Sequence, residues 1–185
     1  MLLKNREYTK VSVRPTVVIT TVSKRGTPNA APFSFNSPCS FNPPLFGFGS
    51  LPTHDTWRNI MENGEFVANY VDESFGPLMH ILEKNWPYEV SEIEKAGLSG
   101  EKAHKIKPPR IKEAYAWLEC KIETYIEIGD HIWIVGRVLE AEVKDKFIQA
   151  VTNVEKVKAL NHIWGEYFAD EMKVTKYKRA ERISS

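Results

Sequence analysis

Residues 115–143 read YAWLECKIETYIEIGDHIWIVGRVLEAEV and contain the clearest strand signal in the chain. Apolar and polar residues alternate over residues 115–128, and a period of two indicates a long β-strand with one packed and one solvated face. Gly129-Asp130 then predicts a tight hairpin turn. The predicted packed face comprises Ala116, Leu118, Cys120, Ile122, Ile126 and Ile128, and the predicted solvated face comprises Glu119, Lys121, Glu123 and Glu127.

The return strand, residues 131–143, is apolar on both faces. Ile132, Ile134 and Val138 alternate with Trp133, Val135, Leu139 and Ala141. In an antiparallel sheet, two apolar faces on one strand indicate that something packs outside the sheet. A helix or a second subunit would satisfy this pattern.

The segments on either side of this hairpin add further strands. TVVITTVS at 16–23 and the turn Lys24–Thr27 predict a second hairpin, which returns through residues 28–35. Residues 45–51 form a short apolar run, in which Gly47 and Gly49 indicate a bulge or a close approach by another group. With residues 66–71, the total is about six strands at the hairpin spacing of a small β-barrel.

Helices are predicted between and after these strands, within a single domain spanning residues 1–185. One begins near Thr53 or Asp55 and stops at Asn63-Gly64. A helical and loop excursion at 73–112 contains helices at 73–84 and 90–96, where Ser91 and Glu94 have capping-box spacing. Its polar part, 97–112, is predicted to lie on the surface, as a lid or a plain loop. A C-terminal helical segment is predicted at about 145–170.

Composition excludes several classes of function. The 185 residues include 25 basic and 24 acidic side chains, a net charge of +1, so no overall field attracts nucleic acid or a membrane surface. The N-terminus does not resemble a signal peptide, because Lys4, Arg6, Glu7 and Lys10 interrupt it. Cys39 and Cys120 match no metal spacing, and we expect two buried thiols in a cytoplasmic protein.

Residues 28–56, PNAAPFSFNSPCSFNPPLFGFGSLPTHDT, are the best candidate for a binding site. Proline holds this segment in bent, extended shapes, and small polar side chains stand beside phenylalanines. The mixture suggests a site for a flat, aromatic, polar-edged ligand with an anionic tail. A rigid proline-rich loop without a ligand is the alternative. The glycine-rich loops of Rossmann and Walker sites do not occur in the chain.

Four segments, in order, resemble the flavin reductase-like, FMN-binding split-barrel family in its short form, close to flavoredoxins and archaeal FMN-binding proteins. They are RPTVVITTVSKRGTPNAAPFSFNS, PPLFGFGS, HDTWRNIMENGEFVANYV and IGDHIWIVGRVLEAE. The similarity covers roughly residues 12–170. It implies a mainly β fold with helices, a six-stranded antiparallel Greek-key split β-barrel. It also implies a homodimer with one non-covalent FMN per subunit near the dimer interface.

The resemblance further implies which residues contact FMN. Asn29, Ala31, Pro32, Ser34, Phe35 and Asn36 would run along the isoalloxazine, and Ser50, Thr53, Asp55 and Thr56 would hold the ribityl chain and phosphate. A helix start suits a phosphate, because its backbone N–H groups are unpaired and carry partial positive charge. Asp55 is interpreted as the helix cap. The candidate cations are Arg14, Lys24 and Arg58, with Lys84, Lys95 and Lys102 from the middle segment.

His131 follows the hairpin turn in the setting that the family shows. It is a candidate contact to the flavin or to nicotinamide, and the candidate catalytic group, with a hydrogen-bonded turn histidine as the alternative. Trp164 and Phe168 are candidates to cover the ring, or else pack a core. The remaining histidines, at 54, 80, 104 and 162, lack ligand-like spacing, so we predict no metal, although His54 lies beside the phosphate turn.

The function implied is an NAD(P)H-dependent FMN oxidoreductase that passes electrons onward. NADH or NADPH is the expected co-substrate, and a nucleotide or a redox protein the expected partner. The alternative is an FMN-bound electron carrier without its own nicotinamide site. A third reading, a small barrel that binds nucleic acid, is disfavoured by the neutral charge balance.

Overall fold

A computed structural model describes residues 1–177 of the chain. The strands are β1 (Arg14–Pro15), β2 (Val17–Val22), β3 (Pro28–Phe33), β4 (Asn36–Phe41), β5 (Pro44–Ser50), β6 (Glu65–Tyr70), β7 (Gly100–Glu101), β8 (Arg110–Ile111), β9 (Ala116–Ile128), β10 (His131–Val143), β11 (Asn161–Trp164) and β12 (Tyr167–Ala169). The α-helices are α1 (Asp55–Asn63), α2 (Met79–Leu82), α3 (Glu92–Lys95) and α4 (Val154–Val157), and 3-10 helices span Asn5–Val11, Glu73–Leu78 and Asp145–Phe147.

The main sheet has seven antiparallel strands in the order β3-β2-β6-β9-β10-β5-β4. Its two edge strands are consecutive in the chain, since β3 ends at Phe33 and β4 begins at Asn36. Two residues reach only about 7 Å when extended, so the opposite edges of the sheet must come together. The sheet therefore curls into a barrel that is split between β3 and β4. The predicted fold class is confirmed, with seven strands in the main sheet instead of six.

The barrel interior is filled by phenylalanine and branched aliphatic side chains from the strands and α1. Position 136 requires glycine, because a Cβ there would lie 2.5 Å from Phe66 Cζ. The strand bounds predicted for both hairpins agree closely with the structure, and α1 ends at Gly64 in the left-handed conformation, as predicted. The interior cluster comprises Val17, Ile19, Phe33, Phe46, Phe48, Ile60, Phe66, Ala68, Cys120, Ile132 and Ile134.

The single alternation predicted for residues 115–128 is wrong, because two bulges interrupt the β9–β10 ladder. The first lies between Val135 and Gly136, which pair with Thr124 and Ile122, and the second lies between Val138 and Glu140. An extra residue in one strand moves the following side chains to the other face. The extra residue of the first bulge is Glu123 in β9, so Ile126 and Ile128, predicted to be packed, lie on the outer face and are exposed. Glu119 keeps its predicted face but is fully buried, because the excursion at residues 73–112 covers that face.

The excursion at residues 73–112 covers one side of the barrel. Its predicted helices are present, but Ser91 Oγ has no hydrogen-bond partner within residues 1–177, so the capping box does not form. The polar segment 97–112 is not a surface loop, because Ala103, Ile106, Arg110 and Ile111 in it are buried. The excursion and the barrel share a second core, which includes Val18, Val67, Phe75, Met79, Leu82, Ile93, Ile106, Ile111, Trp117 and Leu160.

The predicted helical segment at 145–170 is largely wrong. Two short helices form there, the 3-10 helix Asp145–Phe147 and α4, which is capped by the Asn153 side chain and ended by Lys158 in the left-handed conformation. The next residues form β11 and β12, and β11 pairs with β1. Backbone pairing with the N-terminal strand thus replaces the helix, and it brings the C-terminal segment beside the split in the barrel.

Two smaller expectations concern cysteines and membranes. Both cysteines are free thiols, but only Cys120 is buried and Cys39 is exposed, so the expectation of two buried thiols is half wrong. None of the helices among residues 1–177 is long and apolar enough to cross a bilayer.

Candidate functional site

A cleft of about 460 Å³ lies between the barrel edge, the start of α1 and the excursion. Six of the twelve residues predicted to hold a cofactor line it. These are Asn29, Ala31, Pro32, Thr53, Asp55 and Thr56. The other lining residues are His54, Leu82, Glu83, Lys84, Asn85, Trp86 and Glu92.

The start of α1 forms one wall of the cleft. His54 is the N-cap residue and Asp55 the first helical residue, and neither Asp55 nor Thr53 occupies the N-cap position, so the predicted cap is wrong. No side-chain oxygen accepts from the first turn at this N-cap, so the backbone N–H groups keep their partial positive charge toward the cleft. Burial lowers the pKa of His54, and the neighbouring His131 lowers it further. The imidazole of His54 is therefore mainly neutral at pH 7.

Asn29 stands at the centre of a hydrogen-bond network behind this wall. Its Oδ1 accepts from the hydroxyls of Thr21 (3.2 Å) and Thr56 (3.1 Å), and its Nδ2 donates to Glu92 (3.2 Å). Glu92 also accepts from the backbone N–H of Ala30 at 3.0 Å. The network ties β3, α1 and α3 together, so the amide of Asn29 and the hydroxyl of Thr56 are already engaged within the protein.

Lys84 is the cationic residue of the cleft among residues 1–177. Its ammonium lies 4.1 Å from the centre of the Trp86 ring, and Lys95 approaches the same ring at 5.4 Å. The Trp86 indole N–H donates to the carbonyl of Ile81 at 3.0 Å, which fixes the ring. This wall therefore presents positive charge close to the start of α1.

The other predicted cations lie elsewhere. Arg58 stacks on Tyr88 at 3.8 Å and pairs with Glu62, which also pairs with Lys24 at 3.8 Å. Lys102 is exposed and does not line the cleft. Arg14 lies at the split in the barrel, described below.

Three carboxyl groups also line the cleft, those of Asp55, Glu83 and Glu92. Burial raises the pKa of each, although neighbouring groups such as Arg58 for Asp55 act in the opposite direction. Their ionised forms would repel an anion, so Lys84 and the backbone N–H groups at the start of α1 would have to offset them for an anion to bind in this cleft.

A second group of predicted residues meets at the split between β3 and β4. Phe35 lies 5.4 Å from the His131 ring, and the Arg14 guanidinium lies 5.7 Å from the Phe35 ring. Ser34 Oγ is 3.1 Å from His162 Nδ1. We call Arg14, Ser34, Phe35, His131 and His162 the split corner. His131 is held by Asp130, whose carboxylate lies 2.6 Å from its Nδ1 and has a lowered pKa because of that hydrogen bond.

Two glycines of β5 allow aromatic groups to approach this corner. A Cβ on Gly49 would lie 3.4 Å from Phe35 and 3.7 Å from His131, and a Cβ on Gly47 would lie 2.7 Å from Trp133 Nε1. The predicted close approach at these glycines is thus made by aromatic side chains. The absence of a Cβ at Gly47 leaves room for the Trp133 ring.

The remaining predicted residues have mainly internal partners. Ser50 is fully buried, and its Oγ is 3.2 Å from His54 Nδ1. Asn36 donates to the carbonyls of Pro15 (2.8 Å) and Phe33 (3.0 Å), which holds the two barrel edges together. Trp164 ends β11 with its ring 5.0 Å from the Lys10 ammonium, and Phe168 packs on His162 at 5.0 Å and against the second core.

Sequence reasoning missed His162 and Trp86 as site residues and did not choose among the cations. The helical segment predicted at about 145–170 hides His162, because a helix there would not pair with β1. The basic residue Arg14 at the other end of that pairing was considered only for the phosphate. No local sequence pattern marks Trp86 as a site residue, because its position in the cleft depends on how the excursion folds over the barrel.

Comparison with known proteins places this geometry in a family. The sequence profile of the family described as "Flavin reductase like domain" matches residues 11–161. An uncharacterized protein of Aquifex aeolicus is 36% identical over 162 residues, which cover 84% of this chain and 83% of the relative. Nitrilotriacetate monooxygenase component B from Bacillus cereus is 28% identical, with a TM-score of 0.87 over 96% of this chain and 98% of that one. Flavoredoxin of Desulfovibrio vulgaris (Miyazaki F) shares the fold, with a TM-score of 0.85 at 16% identity over 96% of this chain and 97% of that one.

Proposed function

Because the chain belongs to the flavin reductase like family, we propose that it is an FMN-binding oxidoreductase that takes hydride from NADH or NADPH and passes electrons onward. The proposal rests on one observation, that the cleft lies beside the split corner. The cleft offers a helix start and Lys84 to an anion, and the split corner offers aromatic and hydrogen-bonding groups to a flat ring. His54 links the two, since it lines the cleft and its pKa responds to His131.

The residues present fit FMN in two respects. An anionic tail suits the unpaired N–H groups at the start of α1, a helix of nine residues, together with the ammonium of Lys84. A polar-edged ring suits Ser34 and the His131 imidazole beside Phe35. When bound, FMN supplies the hydride and electron chemistry, and the protein binds, orients and shields it.

The visible spectrum of the purified protein tests the proposal. We expect absorption near about 370 and 450 nm, as for oxidised flavin chemistry generally, and bleaching on anaerobic addition of NADH or NADPH. A protein that stays colourless after addition of FMN would refute both the cofactor and the reaction. A protein that binds FMN but is bleached only by a chemical reductant would support the alternative, an electron carrier.

The electron carrier is kept as the second candidate because of the fold comparison. The TM-score to a flavoredoxin, 0.85, is nearly the same as the value of 0.87 to a monooxygenase component. Fold alone does not separate a protein that reacts with nicotinamide from one that exchanges electrons with a protein partner. The nucleotide experiment does.

Lys84 provides a sharper test of where the phosphate binds. We expect Lys84→Met to weaken FMN binding roughly 10-fold, because a charge-assisted contact is lost, and to leave riboflavin binding unchanged, because riboflavin has no phosphate. Lys102→Met is the matched control, since Lys102 is exposed and outside the cleft. Equal losses for FMN and riboflavin would show that Lys84 supports the cleft and does not bind the phosphate.

We further propose that the protein is a homodimer. Ile126 and Ile128 are 54% and 55% exposed, and they lie directly opposite Trp133 and His131 in the β9–β10 ladder. Directly opposite residues share a face, so this apolar patch is continuous with the split corner. A second copy seated on the patch would cover the apolar surface and also close the ring side of the proposed FMN site.

A further inference from the structure

The protonation of His162 is fixed by its neighbours. Its Nε2 is 3.1 Å from the backbone carbonyl oxygen of Gly165, and a carbonyl only accepts, so Nε2 carries the hydrogen. Its Nδ1 is 3.3 Å from Arg14 Nη2, and a guanidinium only donates, so Nδ1 is the bare nitrogen. Both contacts select the same neutral tautomer.

This neutral form persists at ordinary pH. Burial lowers the pKa of His162, the Gly165 carbonyl opposes that effect, and the charge of Arg14 lowers the pKa further. Arg14 is itself held in place, because its guanidinium donates to the carbonyls of Ile163 and Thr9, both at 2.6 Å. The imidazole therefore lies between a fixed cation and a fixed carbonyl.

The tautomer determines the direction of the hydrogen bond to Ser34. The bare Nδ1 has one lone pair, which Arg14 Nη2 at 3.3 Å and Ser34 Oγ at 3.1 Å share, and the shorter contact has the hydroxyl donating its hydrogen to His162. Within residues 1–177, Ser34 Oγ makes no other hydrogen bond. Its lone pairs therefore remain to accept a hydrogen bond from outside the protein.

We propose that Ser34 recognises the flavin ring as a hydrogen-bond acceptor for a ring N–H, and that His162, oriented by Arg14 and Gly165, is the positioning residue that imposes this role. The inference rests on the proposed FMN site. It states which group donates and which accepts in the Ser34 contact that the family resemblance implies. It also adds His162 and Gly165, which the sequence did not select. An isoalloxazine carries N3–H in both redox states and N5–H only when reduced, so two ring donors match the same acceptor.

The experiment measures the dissociation constant for oxidised FMN and the midpoint potential of bound FMN in Ser34→Ala, His162→Phe, His162→Asn and the double variant S34A/H162F. If the donor is N3–H, S34A weakens binding of oxidised FMN roughly 3- to 30-fold at unchanged potential. If the donor is N5–H, binding of oxidised FMN is unchanged and the potential falls, because only the reduced ring loses a contact.

The positioning role of His162 predicts how the variants combine. H162F removes the acceptor at Nδ1 while keeping an aromatic ring against Phe168, so it should reproduce the S34A effect, and the double variant should be no worse than either single variant. H162N restores an acceptor near Nδ1 and should recover most of the affinity or potential. His80→Asn, at an exposed histidine of α2, is the control and should change nothing.

Other outcomes would overturn the inference. An S34A variant that matches the wild type in both affinity and potential excludes the Ser34 contact. Additive losses in the double variant would show that His162 acts without Ser34. Thermal unfolding of each variant identifies any loss that comes from the fold. If the wild-type protein binds no FMN, the proposed function fails and this inference fails with it, whereas tight wild-type binding with an inert S34A overturns the inference alone.

Discussion

Apolar side chains are usually buried and charged side chains usually exposed, but the outer face of the β9–β10 hairpin shows the reverse at both of its ends. At the turn end, Ile126 and Ile128 are apolar and exposed. At the open end, Glu119 is fully buried opposite Glu140, and Arg110 from β8 lies between them with only 1% of its side chain exposed. One face of one hairpin therefore has uncovered apolar groups at one end and covered charges at the other.

The difference lies in what packs against each end. The excursion covers the open end and supplies the counter-charge, since Arg110 Nε donates to Glu119 at 2.7 Å and the backbone N–H groups of His104 and Lys105 donate to the same carboxylate. Nothing within residues 1–177 covers Ile126 and Ile128 at the turn end. Burial in this hairpin therefore depends on elements distant in sequence, and the exposed end is where we expect a second copy.

Arg110 also determines the character of the charged end. His104, Glu119 and Glu140 offer ligand atoms within 4.8 Å of one another, a spacing that a metal ion would accept. The guanidinium of Arg110 already donates to Glu119 and Glu140, and to Glu142 at 2.6 Å. The cluster is therefore interpreted as a structural ion network that fastens the excursion to the barrel.

The largest effect is expected from Glu119→Gln. The substitution removes the charge that compensates buried Arg110 and places an N–H₂ group against backbone donors, so we expect a loss of about 3–5 kcal/mol in the free energy of unfolding. Urea-induced unfolding measures it. Glu123→Gln is the matched control on the same strand, because Glu123 pairs with Arg137 at 2.9 Å on the exposed surface, where ion pairs contribute little. Similar losses of unfolding free energy in both variants would show that burial under the excursion gives the Glu119–Arg110 pair no special role.

A smaller effect is expected at the apolar end, from Ile126→Lys. If a second copy covers this residue, the substitution removes about 1.5–3 kcal/mol of apolar burial per copy. Both copies carry it, so the dimer dissociation constant should rise roughly 100- to 10,000-fold. Sedimentation measures the change, and the unfolding free energy of the monomer should stay nearly constant because Ile126 is exposed there. Glu127→Gln, at the adjacent exposed position in β9, is the control, because it changes the net charge by the same single positive unit. A wild-type protein that is monomeric at every concentration would show that the apolar end is not a dimer surface.

The same two ends show how far sequence reasoning reaches. The hairpin, its turn and the strands β2, β3, β5 and β6 follow from local periodicity and turn residues, and they were predicted correctly. The bulges at Glu123 and Leu139 were not, because each depends on pairing between strands and leaves no local signature. One inserted residue reversed the face of Ile126 and Ile128, so the error is one of register and not of element type.

The candidate site divides in a similar way. Residues of one continuous segment, such as Ala31, Pro32 and Thr53, form one candidate site in the sequence, and they line one cleft in the structure. Lys84 and His162 come from segments that are distant in sequence. The folded excursion brings Lys84 to the cleft, and the β1–β11 pairing brings His162 to the split corner. Local composition predicted the wall of the site, and tertiary contacts supply its charge.

The smallest expected effect is a difference between the two ends of the hairpin in how they affect the pH dependence of the free energy of unfolding. A hydrogen bond from His104 lowers the pKa of Glu140 below its usual value of 4.5, and Lys105 and Arg110 contribute to the shift. A carboxyl whose pKa is lower in the folded state stabilises the fold above its unfolded pKa, and this contribution is lost as the pH falls from about 4.5 through the folded value. Glu140→Gln should therefore flatten the acid limb of the unfolding free energy, measured by urea titration from about pH 7 to about pH 3. Ile126→Lys has no titrating group in that range and should keep the wild-type slope, so an equal change of slope in both variants would show that the acid sensitivity does not come from the charged end.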